Sequence, residues 1–186
     1  MTTWYIDPSH SAVTFRVKHM MISTVRGKFG AVRGTVEFDP EQPASAKVFA
    51  AIDARTIDTN DARRDGHLAS ADFFDTQKHP EIVFKSTAVE PRGHDTFSVT
   101  GDLTIRGTTY PVSFDATLHG ITDDIQGGKR LGAAGTLTIE RSRWGLVWNQ
   151  PIANGVLVSD TVNVDLDLAA VDEATGRKHG LLAEAA

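Results

Sequence analysis

Apolar residues fall on every second position, in row after row, along nearly the whole chain. Val13, Phe15 and Val17 alternate with Thr14, Arg16 and Lys18. Phe97, Val99, Gly101, Leu103 and Ile105 alternate with Ser98, Thr100, Asp102 and Thr104. After the Arg106-Gly107-Thr108 turn come Tyr110, Val112, Phe114, Ala116 and Leu118, so this pair predicts a hairpin. A period of two is the signature of strands with one buried and one wetted face. With all outward rows polar, the strands must share a single apolar interior.

Further rows run through Val36 and Phe38, through Val48, Ala50, Ile52 and Ala54, and through Ile82, Phe84, Ser86 and Ala88. Leu131, Ala133, Gly135, Leu137 and Ile139 form another, and Val162, Val164, Leu166 and Leu168 the last. Gly27, Gly30 and Gly34 punctuate the second strand and suggest bulges or bends. About eight strands linked by mostly short loops predict an all-β fold, an antiparallel sheet closed into a barrel. Such a barrel either fills with side chains or keeps room for one ligand. The small inward residues Ala50, Ala54, Ala88, Gly101, Ala116, Ala133 and Gly135 favour room. Residues 1–171 form this one domain, and the polar, small-residue stretch 172–186 is expected to be a flexible tail.

Residues 58–74 break the pattern: DTNDARRDGHLASADFF crowds charges and small residues together and ends in two phenylalanines. It predicts a short helix capped by Thr59 or Asn60, a break near Gly66, and a second turn begun by Ser70. Its apolar face is too small for a core helix. It reads as a lid or plug that sets Leu68, Phe73 and Phe74 onto an apolar surface made by the strands.

Composition narrows the function. A net charge of −5 argues against nucleic acid or an anionic membrane as the main partner. The absence of cysteine excludes disulfides, thiolate nucleophiles and Cys-ligated zinc. No stretch approaches the roughly 20 apolar residues of a transmembrane helix. MTTWYIDPSHS does not pair a basic region with an apolar run, so the cytoplasm is the simplest address.

The seven histidines show no metal-ligand spacing, and no G-x-S-x-G elbow or Ser/His/Asp order is present, so no metal ligand and no catalytic residue is assigned. His19 continues the inward parity of the first strand, as a hydrogen-bonded core histidine or a ligand contact. Arg63 and Arg64 would either meet a polar head group at the mouth or pin the lid by a salt bridge. Arg141 and Arg143 pose the same alternative. Trp144 and Trp148 lie in a long loop, residues 141–160, as core plugs, a dimer seam or ligand stackers.

These motifs together resemble the YceI-like family of lipocalin-like proteins. The resemblance is carried by Trp4-Tyr5-Ile6-Asp7, His10-Ser11, Phe15-x-Val17-x-His19, Gly27-Lys28-Phe29 and Gly34. Its most specific part is Thr59-Asn60, Arg64-Asp65, His67-Leu68, Asp72-Phe73-Phe74, His79-Pro80, Phe84 and Ser86. Gly101-x-Leu103-Thr104-Ile105-x-Gly107 and Arg141-x-x-x-Gly145-Leu146 complete it. The resemblance implies an extended eight-stranded antiparallel barrel holding a long isoprenoid chain, the tail of a prenyl quinone or polyprenyl phosphate, and frequent homodimers.

The expected function is non-catalytic binding, storage or transport of that lipid, with no cofactor beyond it. An enzyme acting on a hydrophobic substrate in the barrel, with His19 or an acid moving a proton, is the alternative, as is a filled barrel serving as a stress-related interaction protein. On the strands the expected ligand contacts are Phe15, Phe38, Phe84, Phe97, Leu103, Phe114, Ala116 and Leu137. Leu68, Phe73, Phe74 and Trp144 are expected over the mouth, with His19 and Arg64 as polar contacts.

Overall fold

The computed structural model describes residues 1–125, 127–153 and 155–182. Its strands are β1 (Thr2–Ile6), β2 (Ala12–His19), β3 (Ser23–Phe29), β4 (Val32–Phe38), β5 (Lys47–Asp53), β6 (Ile57–Asp58) and β7 (Glu81–Pro91). They continue as β8 (Thr96–Ile105), β9 (Thr108–Asp123), β10 (Lys129–Glu140), β11 (Pro151–Ile152), β12 (Gly155–Val156) and β13 (Val158–Val171). Two helices, α1 (Ala62–Ala69) and α2 (Glu173–Lys178), complete the described residues.

Eight antiparallel strands close the barrel in the order β1-β4-β5-β7-β8-β9-β10-β13, with β13 returning to β1 at Tyr5↔Val171 and Ile6↔Ala170. The 14-residue β13 is long enough to serve two partners on one edge. Near its end it meets β1, and from Val158 to Asp167 it meets β2. The β2–β3 hairpin thus continues the wall beyond β1, and β6 extends it at Lys28↔Asp58 and Phe29↔Ile57. This is the expected all-β, eight-stranded barrel.

Several local expectations change. The second strand is two strands, β3 and β4, parted at Gly30. A Cβ on Gly34, whose φ is +153°, would stand 2.0 Å from the Phe49 carbonyl oxygen, so only glycine permits this approach of β4 to β5. In β7 a bulge between Ser86 and Ala88 reverses the parity. Ala88 therefore faces solvent and Val89 is buried. The Ser86 hydroxyl accepts the Val48 amide at 2.8 Å, satisfying a donor in the bulged ladder. Ala54 leaves the strand row for a short 3₁₀ turn, although it remains buried.

Beyond Val171 the chain does not fray at once, which corrects the expected flexible tail as far as Leu182; residues 183–186 lie outside the described residues. Asp172 caps α2 by accepting the Thr175 amide at 2.9 Å, and its other oxygen accepts the Lys129 amide at 2.7 Å. Thr175 is fully buried and donates its hydroxyl to the Gly127 carbonyl at 3.0 Å. Gly176 lies against the Tyr5 ring. A helix this short has no broad apolar face, so its docking through one cap and one buried threonine left no periodic signal.

The two ends of the barrel differ. At one end Trp4, Phe38, Phe97 and Leu131 pack into a plug. Near it, Arg130 joins Asp7 at 2.8 Å and Asp124 at 2.9 Å. Burial pushes the Asp7 carboxyl up, but hydrogen bonds from Arg130, His10 and the Ser9 amide outweigh it and hold its pKa at about 2 against 3.8. The other end is covered by α1, the turns after it and the loop that carries Trp148, which packs on His67 and Phe73.

Candidate functional site: an apolar cavity under a lid

The inward rows enclose a cavity of about 280 Å³ running from the Phe38–Phe97 plug to the lid, and the surface it presents is wholly apolar. This lies near the lower limit of the roughly 300–1,000 Å³ usual for small-molecule sites. On the strands, Phe15, Phe38, Phe84 and Phe97 line it, with Leu103, Phe114, Ala116 and Leu137. From the lid end, Leu68, Phe73, Phe74 and Trp144 reach it.

Room arises where the strand rows carry small residues. Ala50, Ala116, Ala133 and Gly135 line the cavity. Gly101 does not add to it, because the Phe84 ring already occupies the space where its Cβ would stand, 2.6 Å away. Phe84 and Phe114 then lean on each other with ring centroids 5.5 Å apart. Gly27 acts alike on the other side: a Cβ there would lie 2.3 Å from the Phe15 ring.

The lid is built from a cap and a pair of ring contacts. α1 begins at Asp61, whose carboxylate accepts the Arg63 and Arg64 amides, one residue past the expected cap. It runs through Gly66 without a break. Ser70 ends it, and a turn follows that carries Phe73 and Phe74 inward. Phe74 meets Phe29 edge to face at 5.9 Å, and Phe73 meets His67 at 5.1 Å. The Asp72 carboxylate lies 3.0 Å from His67 Nε2 and accepts from it in the tautomer that carries the proton there.

His19 and Arg64 do not join the cavity wall. Arg64 donates from Nε to the Thr59 hydroxyl and from Nη2 to the Thr59 carbonyl, both at 2.7 Å, while Asp65 accepts the Thr59 amide and hydroxyl. Its guanidinium pins the start of the lid to the barrel, through a threonine rather than a carboxylate. His19 is half-buried at the last position of β2, opposite the wall residue Val158, and lies beyond the cavity lining on that strand, which ends at Val17.

Arg141 is the charged residue on the cavity wall among the described residues. Its guanidinium donates to the Ser159 carbonyl at 3.0 Å, the Trp148 carbonyl at 3.0 Å and the Leu146 and Val158 carbonyls. Burial pushes its pKa down, opposed in part by Asp160. Two carbonyls from the loop, of Leu146 and Trp148, and two from the start of β13 converge on it, so it ties that loop to the strand. Trp144 is buried beside it, donating its indole N–H to the Leu103 carbonyl at 3.0 Å. Arg143 instead stacks over Tyr110 on the outside, 4.7 Å from the ring centroid.

Arg106 is a lid residue that sequence reasoning took only for a turn. It sits at φ 51° in the β8–β9 turn and donates to the Gly145 carbonyl at 2.6 Å and the Ala71 carbonyl at 2.8 Å. One side chain thereby ties both halves of the lid to the barrel rim. Its position directly after an inward leucine-isoleucine row carried no hint of either partner. Among the described residues no group of three His, Asp or Glu side chains could hold a metal ion, and no helix is long and apolar enough to cross a membrane.

A chain with this barrel, lid and cavity is similar to known proteins along most of its length. The YceI protein of Escherichia coli (strain UMN026) is 46% identical over 126 residues, 68% of this chain and 65% of that protein. The chain therefore spans slightly less than two thirds of that relative's length. The crystal structure of Burkholderia cenocepacia BcnA superposes with a TM-score of 0.78 at 28% identity, covering 89% of this chain and 99% of that one. A polyisoprenoid binding domain from Saccharophagus degradans shares the fold, with a TM-score of 0.72 at 15% identity over 92% of this chain and 99% of that one. The family model of the YceI-like domain matches residues 4–170, from the Trp4 plug to the last turn of the barrel wall, and the chain belongs to the YceI-like family.

Proposed function

We propose that the barrel binds one long-chain isoprenoid lipid and carries or stores it without chemical change. The observation that carries this reading is the apolar cavity, walled by the barrel strands and roofed by the lid, whose charged wall residue Arg141 is already engaged by backbone carbonyls. A ligand there gains affinity from burial alone, about 0.8 kcal/mol per methylene. A prenyl chain suits it because successive methyl branches fill a wall that alternates Ala and Gly with Phe and Leu. The Saccharophagus degradans domain, described as polyisoprenoid binding, supports the same ligand class.

The groups at hand support non-catalytic binding. His19 and Arg64 stand outside the wall, and Arg141 is held as a cation by its carbonyl cage. Among the described residues, the side chains lining the cavity are apolar apart from Arg141 and Thr117. The polar head would lie toward the lid, where the Arg106 and Arg141 loops form the rim. Native mass spectrometry of freshly purified protein, followed by organic extraction, tests the reading. One unmodified isoprenoid per chain is expected. A chain that is empty and takes up no prenyl lipid overturns the ligand, and a chemically altered lipid overturns the non-catalytic role.

A further inference from the structure

The net charge of −5 conceals a local reversal. Residues 12–29, the β2–β3 hairpin, hold Arg16, Lys18, Arg26 and Lys28 and no acid. Arg16 faces Asp165 at 3.3 Å and Lys28 faces Asp58 at 3.7 Å. The other two cations have no such partner among the described residues: Lys18, nearest the tip, donates to the Thr24 hydroxyl at 3.1 Å, and Arg26 stands opposite Arg16 in the ladder.

The tip itself is apolar. Met20 and Met21 occupy the left-handed region at φ 52° and 62°, which L residues with side chains disfavour. The turn nevertheless holds Met20, Met21 and Ile22 out in water, Ile22 at 83% exposure. The Met20 amide donates to the Leu157 carbonyl at 2.7 Å, and Gly155 lies beside the Met21 side chain. This brings exposed Val156 to the same patch. Residues 145–159 carry no ionisable group. Asp160, next in sequence, is turned to the Ser142 amide and hydroxyl at 2.9 and 2.7 Å.

An exposed apolar apex with a basic flank is the arrangement that enters the headgroup region of an anionic bilayer. We infer that the lid end of the barrel docks on an anionic lipid bilayer. Met20, Met21, Ile22 and Val156 insert below the headgroups, and Lys18 and Arg26 meet the lipid phosphates. A second copy of the chain fits this patch poorly, because a two-fold contact sets the same cations against each other. Docking here sets the lid that carries Leu68, Phe73 and Phe74 against the phase in which an isoprenoid dissolves. That consequence rests on the function proposed above, whereas the docking rests on the tip alone.

Co-sedimentation with phosphatidylcholine vesicles, with and without phosphatidylglycerol, tests it. The protein is expected to bind the anionic vesicles, less so at high salt. Ile22→Asp is expected to weaken binding roughly tenfold or more. Lys18→Gln and Arg26→Gln should each weaken it about fivefold, the equivalent of about 1 kcal/mol per basic residue. Unchanged melting temperatures confirm folding of these surface variants. Failure to bind anionic vesicles, equal binding by Ile22→Asp, or a dimer that Ile22→Asp splits without vesicle binding overturns the inference. Lipid extracted from the same vesicle-free preparations reports on the barrel separately: lipid without docking removes only this inference, and docking without lipid removes only the proposed function.

Discussion

The His67 and Trp148 rings meet edge to face with centroids 4.6 Å apart. His67 belongs to α1 and Trp148 to the loop that Arg141 orders, so this contact is a seam between the two halves of the lid. Phe73 lies against both rings, 5.5 Å from Trp148, and also faces the cavity. Opening the lid must break this seam or release the Arg106 hydrogen bonds that clamp both halves.

Trp148→Ala should therefore speed ligand exchange more than it lowers affinity at the far end of the cavity. Each aromatic pair contributes about 0.5–1.5 kcal/mol. Loss of the seam predicts exchange roughly three- to tenfold faster. Release of a fluorescent prenyl lipid into excess unlabelled lipid measures it, and an unchanged rate would place the exit elsewhere.

Ala116→Trp separates an occupied cavity from a filled core. Ala116 faces the cavity beside Phe97 and Gly135, its ladder partners on β8 and β10. The new ring should take the lipid's place, abolishing co-purified lipid while the melting temperature stays close to that of the delipidated parent. In a filled core the same change would overpack, at a cost of typically 1–3 kcal/mol. Extraction and thermal unfolding of the same preparation decide between them.

Asp7 couples stability to pH. Its folded pKa of about 2 lies below the unpaired value of 3.8. Its contribution is thus fully present above about pH 4 and fades as pH falls toward 2. The shift corresponds to about 2 kcal/mol. Asp7→Asn should destabilise the protein by about that amount at neutral pH, and the difference from the parent should shrink below pH 4. Urea unfolding across this range gives the comparison, and a pH-independent difference would mean that the carboxylate's charge is not what stabilises.

Removal of residues 172–186 should destabilise the barrel, the reverse of what a frayed tail predicts. It deletes the Asp172 bonds to Thr175 and Lys129 and the fully buried Thr175. A loss of about 2 kcal/mol is expected, roughly 4–8 °C in a domain of this size. A melting temperature within a degree of the parent would show that α2 contributes no net docking energy.

The amino-acid sequence by itself determined which residues share a face. Alternation is a property of neighbours in the chain, so the rows through Phe97, Leu103, Phe114, Ala116 and Leu137 could be read locally, and the cavity wall with them. The lid phenylalanines were legible for a related reason: residues 58–74 break the period, and their apolar side chains have no strand to join. Tertiary structure alone decided the rest. The Ser86 bulge turned Ala88 outward, because register depends on both strands of a pair, and the cavity lining on β2 ended at Val17, one inward position before His19. Arg64 was drawn to Thr59 and away from the mouth. Arg106 reached Ala71 and Gly145, and Asp7 reached Arg130, across separations of 35, 39 and 123 residues. Closure of the sheet creates those contacts, and no local pattern encodes a partner that only closure brings near.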